Sequence, residues 1–577
     1  MPPKVAYISS EFALSDDLPT YAGGLGILAA DLLYQAAESQ FPLCGISVFF
    51  HEGFFQQKVD PEGKQEHFYD RIDPLKAGLV DTGQSVKIPL TDHEITLKIW
   101  RKDVSPTNQP NNQSTSPLYL LDADIPENTP EDRKFTDRLY ERVWAPHLID
   151  DLVLGVGSVR AARKLELPIE VWHINDDHGT FNIMERLREY LEKGLSFPEA
   201  REKVKSETIF TTHTPVAGAE SKFNREEISF TLNALFEGLD VNPEEIWDLG
   251  KREWDGEEVF SLTVFAMRHA RAINSVSRKH LEVSRELWKF IGDLPLTYVT
   301  NAVYAPRWTA KEITKLANPK GLTGSENSEY SKPERFVGKL LEAETSKIRE
   351  GKLRAKKSAA ETLAHLAYDK RRFDPKALVL AWARRFTEYK QPALLVSDLG
   401  RLVKILVSSD RPVYLLMSGK AHPEDPQGQG FVKQVIDASR DPRLEGHLIY
   451  FPNYSLSLAK ELFAAADVWL NTPLIGWEAS GTSGMKAVFN CGLNASSRDG
   501  WWVEGFQPET DEQPANGWAI DHPDAETVYS LIETEIVPTF YDRREDWLRM
   551  VKEALKSCGP RFNTPRMLED YRKLYQV

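Results

Sequence analysis

The chain has 577 residues, of which 41% are hydrophobic and 27% charged, and its formal net charge is −15. This length is enough for at least two domains, and the composition is typical of a globular protein rather than a disordered or fibrous one. The acidic balance, without a basic stripe interleaved with aromatic residues, argues against a nucleic-acid partner.

The cysteines and the N-terminus bear on the compartment. The chain has only three cysteines, a number too small for a disulfide framework. The first residues, MPPKVAYISSEF, carry no signal-peptide pattern, and no apolar run reaches the length of a membrane span. We therefore expect a cytoplasmic protein without a membrane partner.

Short runs of apolar and β-branched residues alternate along the chain with longer stretches of helical periodicity, such as Thr180–Lys193 and Glu424–Ser439. The predicted strands are Lys4–Ser9, Gly45–Phe50, Leu118–Leu121, Glu170–Ile174, Thr208–Thr211, Ala272–Ser277, Leu378–Trp382, Val413–Met417, Leu448–Phe451 and Val468–Leu470. This alternation is typical of doubly wound parallel sheets, so we expect an α/β fold of two such domains with a cleft between them.

One stretch breaks the alternation. Residues 311–370 contain no clear strand and are dense in Lys, Glu, Ser and Ala, which predicts helices on a surface or a connector. The domain boundary is expected near the end of this stretch, which gives an N-terminal domain at 1–370 and a C-terminal domain at 371–577.

A glycine-rich loop follows the first predicted strand, with GGLG at Gly23–Gly26 preceding the helix-like ILAADLLYQAAES. Backbone N–H groups at such a helix start form a good anion site. A tight strand-to-helix turn also needs glycine, so the motif alone leaves both interpretations open.

Two further loops place polar side chains where predicted strands end. Asn175, Asp176, Asp177 and His178 follow one strand, and His213 lies in TTHTPV after the next. The aspartates could merely cap a helix, and a lone histidine is usually structural. Two such loops at strand ends nevertheless favour a polar ligand pocket, and since neither has metal-ligand spacing we predict no metal.

A cluster of cations, Arg384, Arg385 and Lys390, begins where another predicted strand ends. Arginine binds phosphate through two parallel hydrogen bonds, so the cluster is a candidate phosphate clamp. A solvated basic helix face has the same composition, and this alternative stays open.

The most specific motif is GTSGMK at Gly481–Lys486, where small residues surround a single lysine. Such a loop lets backbone amides approach a phosphate, and a lysine in apolar surroundings loses proton affinity, as at Schiff-base lysines. A glycine-rich turn with a solvated lysine is the structural alternative. A P-loop is excluded because Met485 precedes the lysine and Ala487 follows it.

Together these strings resemble the α-glucan phosphorylases, the family of glycogen, starch and maltodextrin phosphorylases. EASGTSGMK with DGWW downstream is similar to the family's pyridoxal phosphate segment. SSEF, YAGGLGILAADLL, HINDDH, TTHTPV, TNAVYAPRW, ARRFTEYK and SGKAHPED precede it in the family's order. The chain length and the GTSGMK form resemble the short branch, which lacks the N-terminal regulatory extension.

The resemblance implies a GT-B architecture, in which two Rossmann-like domains face each other across a catalytic cleft and the last helices pack back on the N-terminal domain. It implies reversible phosphorolysis of terminal α-1,4-glucosidic bonds, with retention, to give α-D-glucose 1-phosphate. The implied cofactor is pyridoxal 5′-phosphate, whose phosphate serves as acid and base. The implied partners are α-1,4-glucan, inorganic phosphate and a second copy of the chain in a homodimer.

The resemblance also assigns roles to individual residues. Lys486 resembles the lysine that binds pyridoxal phosphate as a Schiff base, and Arg384 matches the basic residue near the cofactor phosphate. Arg385 and Lys390 match the pair that holds the substrate phosphate, toward which Gly24 would offer its N–H. The other matches are cofactor-lining Gly23, Gly24, Trp308, Tyr454, Gly481 and Thr482, and the substrate-binding residues Gly24, Leu25, His178, His213, Asn301, Glu478, Ala479, Ser480 and Gly481, of which His213 and Glu478 are also counted as catalytic.

Some positions depart from the family pattern. Ala302 and Tyr304 stand where Gly and His are common, Leu474 and Ile475 where short members often have arginine, and Arg498 where an apolar residue is usual. These departures leave acceptor contacts and preferred glucan length open. Two other functions stay in view: a nucleotide-sugar glucosyltransferase, which shares the fold but needs no lysine in GTSGMK, and a glucan-binding pseudoenzyme.

Overall fold

The chain folds into a mixed α/β structure with two large sheets. The computed structural model describes residues 2–90, 93–106, 114–140, 148–317 and 333–576. All ten predicted strands form within these residues, each within about two residues of its predicted ends. The predicted α/β class with parallel sheets is therefore confirmed.

The elements are numbered in chain order over the described residues. The strands are β1 (Val5–Ile8), β2 (Leu43–Val48), β3 (Gln56–Val59), β4 (Gln65–Phe68), β5 (Val80–Pro89), β6 (Glu94–Val104), β7 (Ser116–Asp122), β8 (Val171–Asn175), β9 (Thr208–Thr211), β10 (Lys222–Phe223), β11 (Lys251–Trp254), β12 (Glu257–Ser261), β13 (Ala272–Ser275), β14 (Leu296–Tyr298), β15 (Leu378–Ala383), β16 (Val413–Ser418), β17 (Leu448–Phe451), β18 (Val468–Asn471), β19 (Leu493–Ser497) and β20 (Gly517–Ile520). The helices are α1 (Gly24–Glu38), α2 (Leu148–Lys164), α3 (Phe181–Glu192), α4 (Phe197–Glu207), α5 (Arg225–Leu235), α6 (Pro243–Gly250), α7 (Leu262–Arg268), α8 (Arg278–Leu287), α9 (Ala305–Trp308), α10 (Lys311–Ala317), α11 (Pro333–Glu342), α12 (Thr345–Leu366), α13 (Leu399–Leu406), α14 (Pro426–Ser439), α15 (Leu456–Ala465), α16 (Ser483–Phe489), α17 (Trp502–Gly505), α18 (Ala525–Leu531), α19 (Val537–Tyr541), α20 (Arg544–Cys558) and α21 (Thr564–Tyr575). None of these helices has both the length and the apolar composition needed to cross a membrane.

The first sheet has the strand order β14-β13-β9-β8-β1-β2-β7-β6-β5. The strands from β14 to β7 run parallel, and β6 and β5 extend the β7 edge in antiparallel fashion. Both faces of this sheet are covered: Ala6 and Ile8 of β1 belong to one apolar core, and Val5 and Tyr7 belong to another. The direction of strand addition reverses at β1 and β8, so their carboxyl ends open a crevice.

The second sheet has six parallel strands in the order β17-β16-β15-β18-β19-β20. Counted from β15, this is the 3-2-1-4-5-6 order of a Rossmann sheet. Its apolar core includes the fully buried Trp382 and Trp469. The reversal lies between β15 and β18, whose carboxyl ends lead to Arg384 and to the loop before Glu478.

The predicted helices at Thr180–Lys193 and Glu424–Ser439 are α3 and α14. The stretch 311–370 contains α10, α11 and α12, while residues 318–332 within it lie outside the described residues. One side of α12 is exposed and the other is buried, and the buried side includes Lys352. Its ammonium group is satisfied by backbone carbonyls, which local sequence cannot reveal.

The last helix, α21, packs against the first sheet. Tyr575 Oη and His173 Nδ1 of β8 lie 2.7 Å apart, and Arg271 donates to Tyr575 O over 2.8 Å. At the other end of α21, Thr564 Oγ1 donates to Gln35 Oε1 of α1 over 2.9 Å. The end of the chain is thus tied to elements near its beginning.

Candidate active site

A cavity of about 720 Å³ is lined by segments that follow strands of both parallel sheets. This is where open α/β sheets bind ligands, because strand ends at a reversal of strand order leave a crevice. Most of the predicted site residues meet there. They are Gly23, Gly24, Leu25, His213, Asn301, Arg384, Arg385, Lys390, Tyr454, Glu478, Ala479, Ser480, Gly481, Thr482 and Lys486.

Two predicted site residues, Trp308 and His178, do not line this cavity. Trp308 is buried behind Lys486. His178 Nδ1 lies 2.9 Å from Asp151 Oδ1, and its ring is 5.5 Å from that of Tyr140, which does line the cavity. Burial would lower the pKa of His178, but Asp151 and the adjacent aspartates outweigh it and raise this pKa to about 10. This imidazole is therefore charged at neutral pH.

Lys486 lies in α16, directly after the glycine-rich loop, and only 3% of its surface is exposed. Its Nζ is 4.2 Å from the centre of the Trp308 ring and 3.3 Å from Thr482 Oγ1. Burial lowers the pKa of Lys486 to about 7, with Asp31 opposing this shift and Arg307 adding to it. The alternative of a solvated lysine is wrong, and a large share of the amine is neutral and nucleophilic near pH 7.

Steric constraints explain why glycine occupies two positions beside Lys486. Gly481 has φ of +75°, a conformation that side-chain-bearing residues rarely adopt. A Cβ atom on Gly484 would lie 2.2 Å from Asn494 Oδ1 of β19. Gly484 thus lets α16 pack closely on β19, which fixes the helix that carries the lysine.

The loop before α16 is held from two directions. Asp499 Oδ2 accepts hydrogen bonds from the N–H groups of Gly476 (2.9 Å) and Glu478 (2.8 Å). Ser277, which follows β13 of the first sheet, donates to Ala479 O over 2.6 Å. The backbone around Glu478 is therefore positioned by both sheets.

Glu478 forms a buried ion-pair cluster with two of the predicted phosphate-binding cations. Its Oε2 accepts from Arg384 Nη2 at 2.5 Å and from Lys390 Nζ at 2.9 Å. Burial alone would raise the pKa of Glu478, but Arg384 and Lys390 outweigh it and lower the pKa to about 2. The alternative of a solvated basic face is wrong for these two cations, whose side chains are less than 10% exposed.

The arginines keep donors available for a further anion. Arg384 Nε and Nη1 are buried without a hydrogen-bond partner among the described residues. Arg385 is exposed and lies against the glycine loop of the other sheet, since a Cβ on Gly23 would be 3.6 Å from its Nε. Unpaired guanidinium N–H groups facing a cavity favour an oxyanion ligand.

The glycine loop binds an anion that belongs to the protein. Glu11 Oε2 accepts from the N–H groups of Ala22 (2.9 Å), Gly23 (3.1 Å) and Gly26 (3.2 Å) at the start of α1. The loop makes a tight turn, and its amides hold a carboxylate of the protein itself, while the role of the Gly24 N–H toward a phosphate stays a prediction. At Gly24 the direction of an added Cβ is open, because no atom of the described residues lies within 4 Å.

The polar loops after β8 and β9 meet through His213. Its Nε2 lies 2.8 Å from Asn175 Oδ1, and burial with the nearby His280 lowers the pKa of His213 to about 3, so the ring is neutral. Asp177 does not cap a helix but accepts from Ser221 N and Thr263 Oγ1, both at 2.8 Å. The neutral His213 can exchange hydrogen bonds with sugar hydroxyls without a charge penalty.

Further cavity residues were not singled out from the sequence. They are Glu11, Tyr140, Tyr389, Lys420 and Trp477 among others, whereas Asp176, from the polar loop after β8, was singled out and does line the cavity. Burial lowers the pKa of Lys420 to about 8, and its Nζ donates to Phe55 O over 2.6 Å. Glu11 lies in SSEF after β1, so the same signal that marks His178, polar residues at the end of a parallel strand, could have found it.

Comparison with known proteins agrees with this geometry. The family model described as carbohydrate phosphorylase matches residues 159–557. The maltodextrin phosphorylase of Thermococcus litoralis is 34% identical over 98% of this chain and 70% of its own length. The glycogen phosphorylases of Aquifex aeolicus and Mycobacterium tuberculosis are each 33% identical, covering 98% and 100% of this chain and 85% and 71% of their own lengths. The chain therefore belongs to the carbohydrate phosphorylase family.

Proposed function

We propose that this protein is an α-glucan phosphorylase, which cleaves terminal α-1,4-glucosidic bonds with inorganic phosphate to give α-D-glucose 1-phosphate, reversibly and with retention. Family membership and the similarity to maltodextrin and glycogen phosphorylases support this activity. The observation that carries the proposal is the buried Lys486, whose pKa is about 7, in one cavity with Arg384, Arg385 and Lys390.

The cavity fits pyridoxal 5′-phosphate as the cofactor. Covalent attachment of the cofactor's carbonyl group requires a neutral amine, which Lys486 provides. Binding of its phosphate requires unpaired hydrogen-bond donors, which Arg384 Nε and Nη1 provide. We infer that Lys486 attaches the cofactor covalently, that Arg384 binds its phosphate, and that further residues line it. These further residues are Gly23, Trp308, Tyr454, Gly481 and Thr482. When bound, the cofactor supplies a phosphate that exchanges a proton with the substrate phosphate.

The protein's own groups would hold the substrate phosphate and the sugar. The substrate phosphate would lie among Arg385, Lys390 and the Gly24 N–H. These groups would let the substrate phosphate and the cofactor phosphate lie close together despite their negative charges. His213, Asn301 and Glu478 would hydrogen-bond the glucosyl ring, together with the backbone of Ala479–Gly481. The Oδ1 atom of Asn301 and the hydroxyl of Ser480 lack a described partner, which supports a polar ligand here.

The bond changes follow from this arrangement. The substrate phosphate donates its proton to the glycosidic oxygen as the bond to the anomeric carbon breaks, which releases the shortened glucan. The phosphate oxygen then bonds to the same face of that carbon, and its charge stabilises the developing oxocarbenium ion meanwhile. Retention thus requires no carboxylate nucleophile, unlike in two-carboxylate glycosidases.

A GT-B arrangement belongs to the same proposal. The two doubly wound sheets, each with its strand reversal at the cavity, support two Rossmann-like domains at 1–370 and 371–577. A homodimer and a cytoplasmic location are proposed from the resemblance to the family.

The deciding experiment measures the near-ultraviolet absorbance of the purified protein together with phosphate-dependent release of glucose 1-phosphate from maltodextrin. We expect a reducible pyridoxal phosphate chromophore and turnover. Glucan synthesis from a nucleotide sugar without a chromophore would identify a synthase. Glucan binding without turnover in either direction would identify a pseudoenzyme.

A further inference from the structure

An exposed apolar patch lies at the rim of the cavity. Leu474, Ile475 and Trp477 are 38%, 43% and 45% exposed, and Trp477 also lines the cavity. The ring of Tyr389, another lining residue, stacks on Trp477 with a centroid distance of 6.0 Å and an interplanar angle of 28°. We call these four residues the rim patch. Exposed apolar clusters of this kind mark binding surfaces.

The rim patch is held rigidly. Leu474 N donates to Tyr389 O over 2.8 Å, and Trp477 N donates to Leu474 O over 3.2 Å. Asp499 holds the N–H groups on either side of Trp477, those of Gly476 and Glu478. A fixed aromatic surface loses little conformational entropy when it binds a ligand.

The rim patch is continuous with the proposed reaction site. Trp477 directly precedes Glu478, and Tyr389 directly precedes Lys390. The side chains of Glu478 and Lys390 form the 2.9 Å ion pair described above. A glucan whose terminal residue enters the cavity must leave its other residues on the rim. Glucosyl rings carry an apolar C–H face that stacks on aromatic rings, while their hydroxyl groups stay in water.

We propose, on the basis of the proposed function, that the rim patch is a glucan subsite in which Trp477, supported by Tyr389, stacks on a glucosyl residue outside the reacting position. Trp477 then sets affinity for the polymer without touching the reacting atoms. Leu474 and Ile475 extend the apolar surface away from the cavity and affect which chain lengths bind.

The test compares Trp477→Ala with Trp477→Phe and with Phe230→Ala. Phe230 is 47% exposed on α5 and does not line the cavity, so it is a matched control. In phosphorolysis of maltoheptaose we expect Trp477→Ala to raise the glucan KM by about tenfold, with kcat and the phosphate KM nearly unchanged. Trp477→Phe should keep most of the affinity, and Phe230→Ala should match the wild type.

A second measurement does not depend on turnover. In a native gel that contains maltodextrin, Trp477→Ala should migrate faster than the wild type and Phe230→Ala should not. Equal retardation and equal KM values would overturn the proposal, as would a loss of kcat at constant KM. A change in oligomeric state with unchanged retardation would also overturn it and assign the rim patch to self-association. A wild type that is retarded but inactive would refute the proposed function while leaving the subsite intact.

Discussion

Two buried lysines with lowered pKa values differ in what surrounds their ammonium groups. Lys352 in α12 donates to three backbone carbonyls, those of Ala464 (3.0 Å), Ala466 (2.6 Å) and Asn490 (3.0 Å). Lys486 in α16 has a single bond of 3.3 Å to Thr482 Oγ1 among the described residues and otherwise faces aromatic rings and the cavity. Burial lowers the pKa of Lys352 to about 8 and that of Lys486 to about 7.

The difference shows that burial alone does not leave a lysine amine available to a ligand. All three N–H donors of Lys352 are used, so it holds the ends of α15 and α16 together and has none left for a ligand. Lys486 retains unused donors beside a cavity, and its amine is free to react. The two lysines are also linked through Asn490. Its backbone carbonyl accepts a hydrogen bond from Lys352 Nζ, and its side-chain Nδ2 donates to Lys486 O and Trp308 O, both at 2.9 Å.

The largest expected effect tests the reactive member of the pair. Lys486→Ala should remove the covalent cofactor and lower phosphorolysis on the order of 10³-fold or more, because no other described lysine of the cavity occupies its place. Absorbance after borohydride reduction and assay of glucose 1-phosphate check this. If Lys486→Ala still carries reducible pyridoxal phosphate, the assignment fails.

The next largest effect concerns Arg385 and Lys390, the two cations proposed to bind the substrate phosphate. Lys390→Ala should raise the activation free energy of phosphorolysis by about 2–5 kcal/mol, since the substrate phosphate loses a buried partner. Arg385→Ala should act in the same direction with a smaller effect, because Arg385 is exposed and its charge is screened by water. The cofactor should remain bound, as absorbance will report. Loss of cofactor with unchanged activity per loaded enzyme would contradict these roles.

Lys352→Met tests the structural member of the pair. It leaves three buried carbonyls at helix ends without donors, so the free energy of unfolding should fall by about 2–4 kcal/mol. Denaturant melts measure the change, and the folded fraction should still bind the cofactor through Lys486. A Lys352→Met protein of normal stability that has lost the cofactor would reverse the roles given to the two lysines.

A pH titration of the cofactor-free protein sharpens the same contrast. The pKa of Lys486 is about 7 in the folded state against an ordinary value of 10.5, so the unfolded chain binds more protons between these values. This group should therefore make the free energy of unfolding rise as the pH increases from about 7 to about 10.5. Denaturant melts across this range should show a smaller rise in Lys486→Met than in wild type. An identical pH dependence in both proteins would contradict the lowered pKa.

The smallest expected effect comes from substitutions at the rim patch, which do not alter either lysine. Leu474→Arg or Ile475→Arg should change which maltodextrin lengths are used by a few-fold, since each residue is exposed outside the cavity. Selectivity for glucose 1-phosphate over galactose 1-phosphate in synthesis should stay strict, because it depends on hydroxyl-binding groups inside. A donor preference that moves with either change would refute the separation of donor and acceptor sites.

Local patterns sufficed for the central strands of the two parallel arrays and for the central site motifs. Strands such as Leu378–Ala383 are buried on both faces and so appear as continuous apolar runs, which the sequence displays directly. Lys486 stood out because its neighbours are small over several consecutive positions. The predictions missed ten of the described strands, namely β3, β4, β5, β6, β10, β11, β12, β14, β19 and β20. Among them, β5 alternates with many exposed residues and β19 reads LNASS. Their pairing comes from neighbouring strands rather than from their own propensity.

The sequence by itself determined the α/β class, the strand ends that carry polar residues and most of the predicted site residues that line the cavity. Only the tertiary structure decided how these groups pair. Glu11 on the glycine loop, Glu478 between Arg384 and Lys390, and Lys352 on three carbonyls each satisfy a buried group with a partner distant in sequence. A buried charge or carbonyl must find some partner, but local propensity and spacing do not say which one, because that choice depends on how separate segments pack in the folded chain.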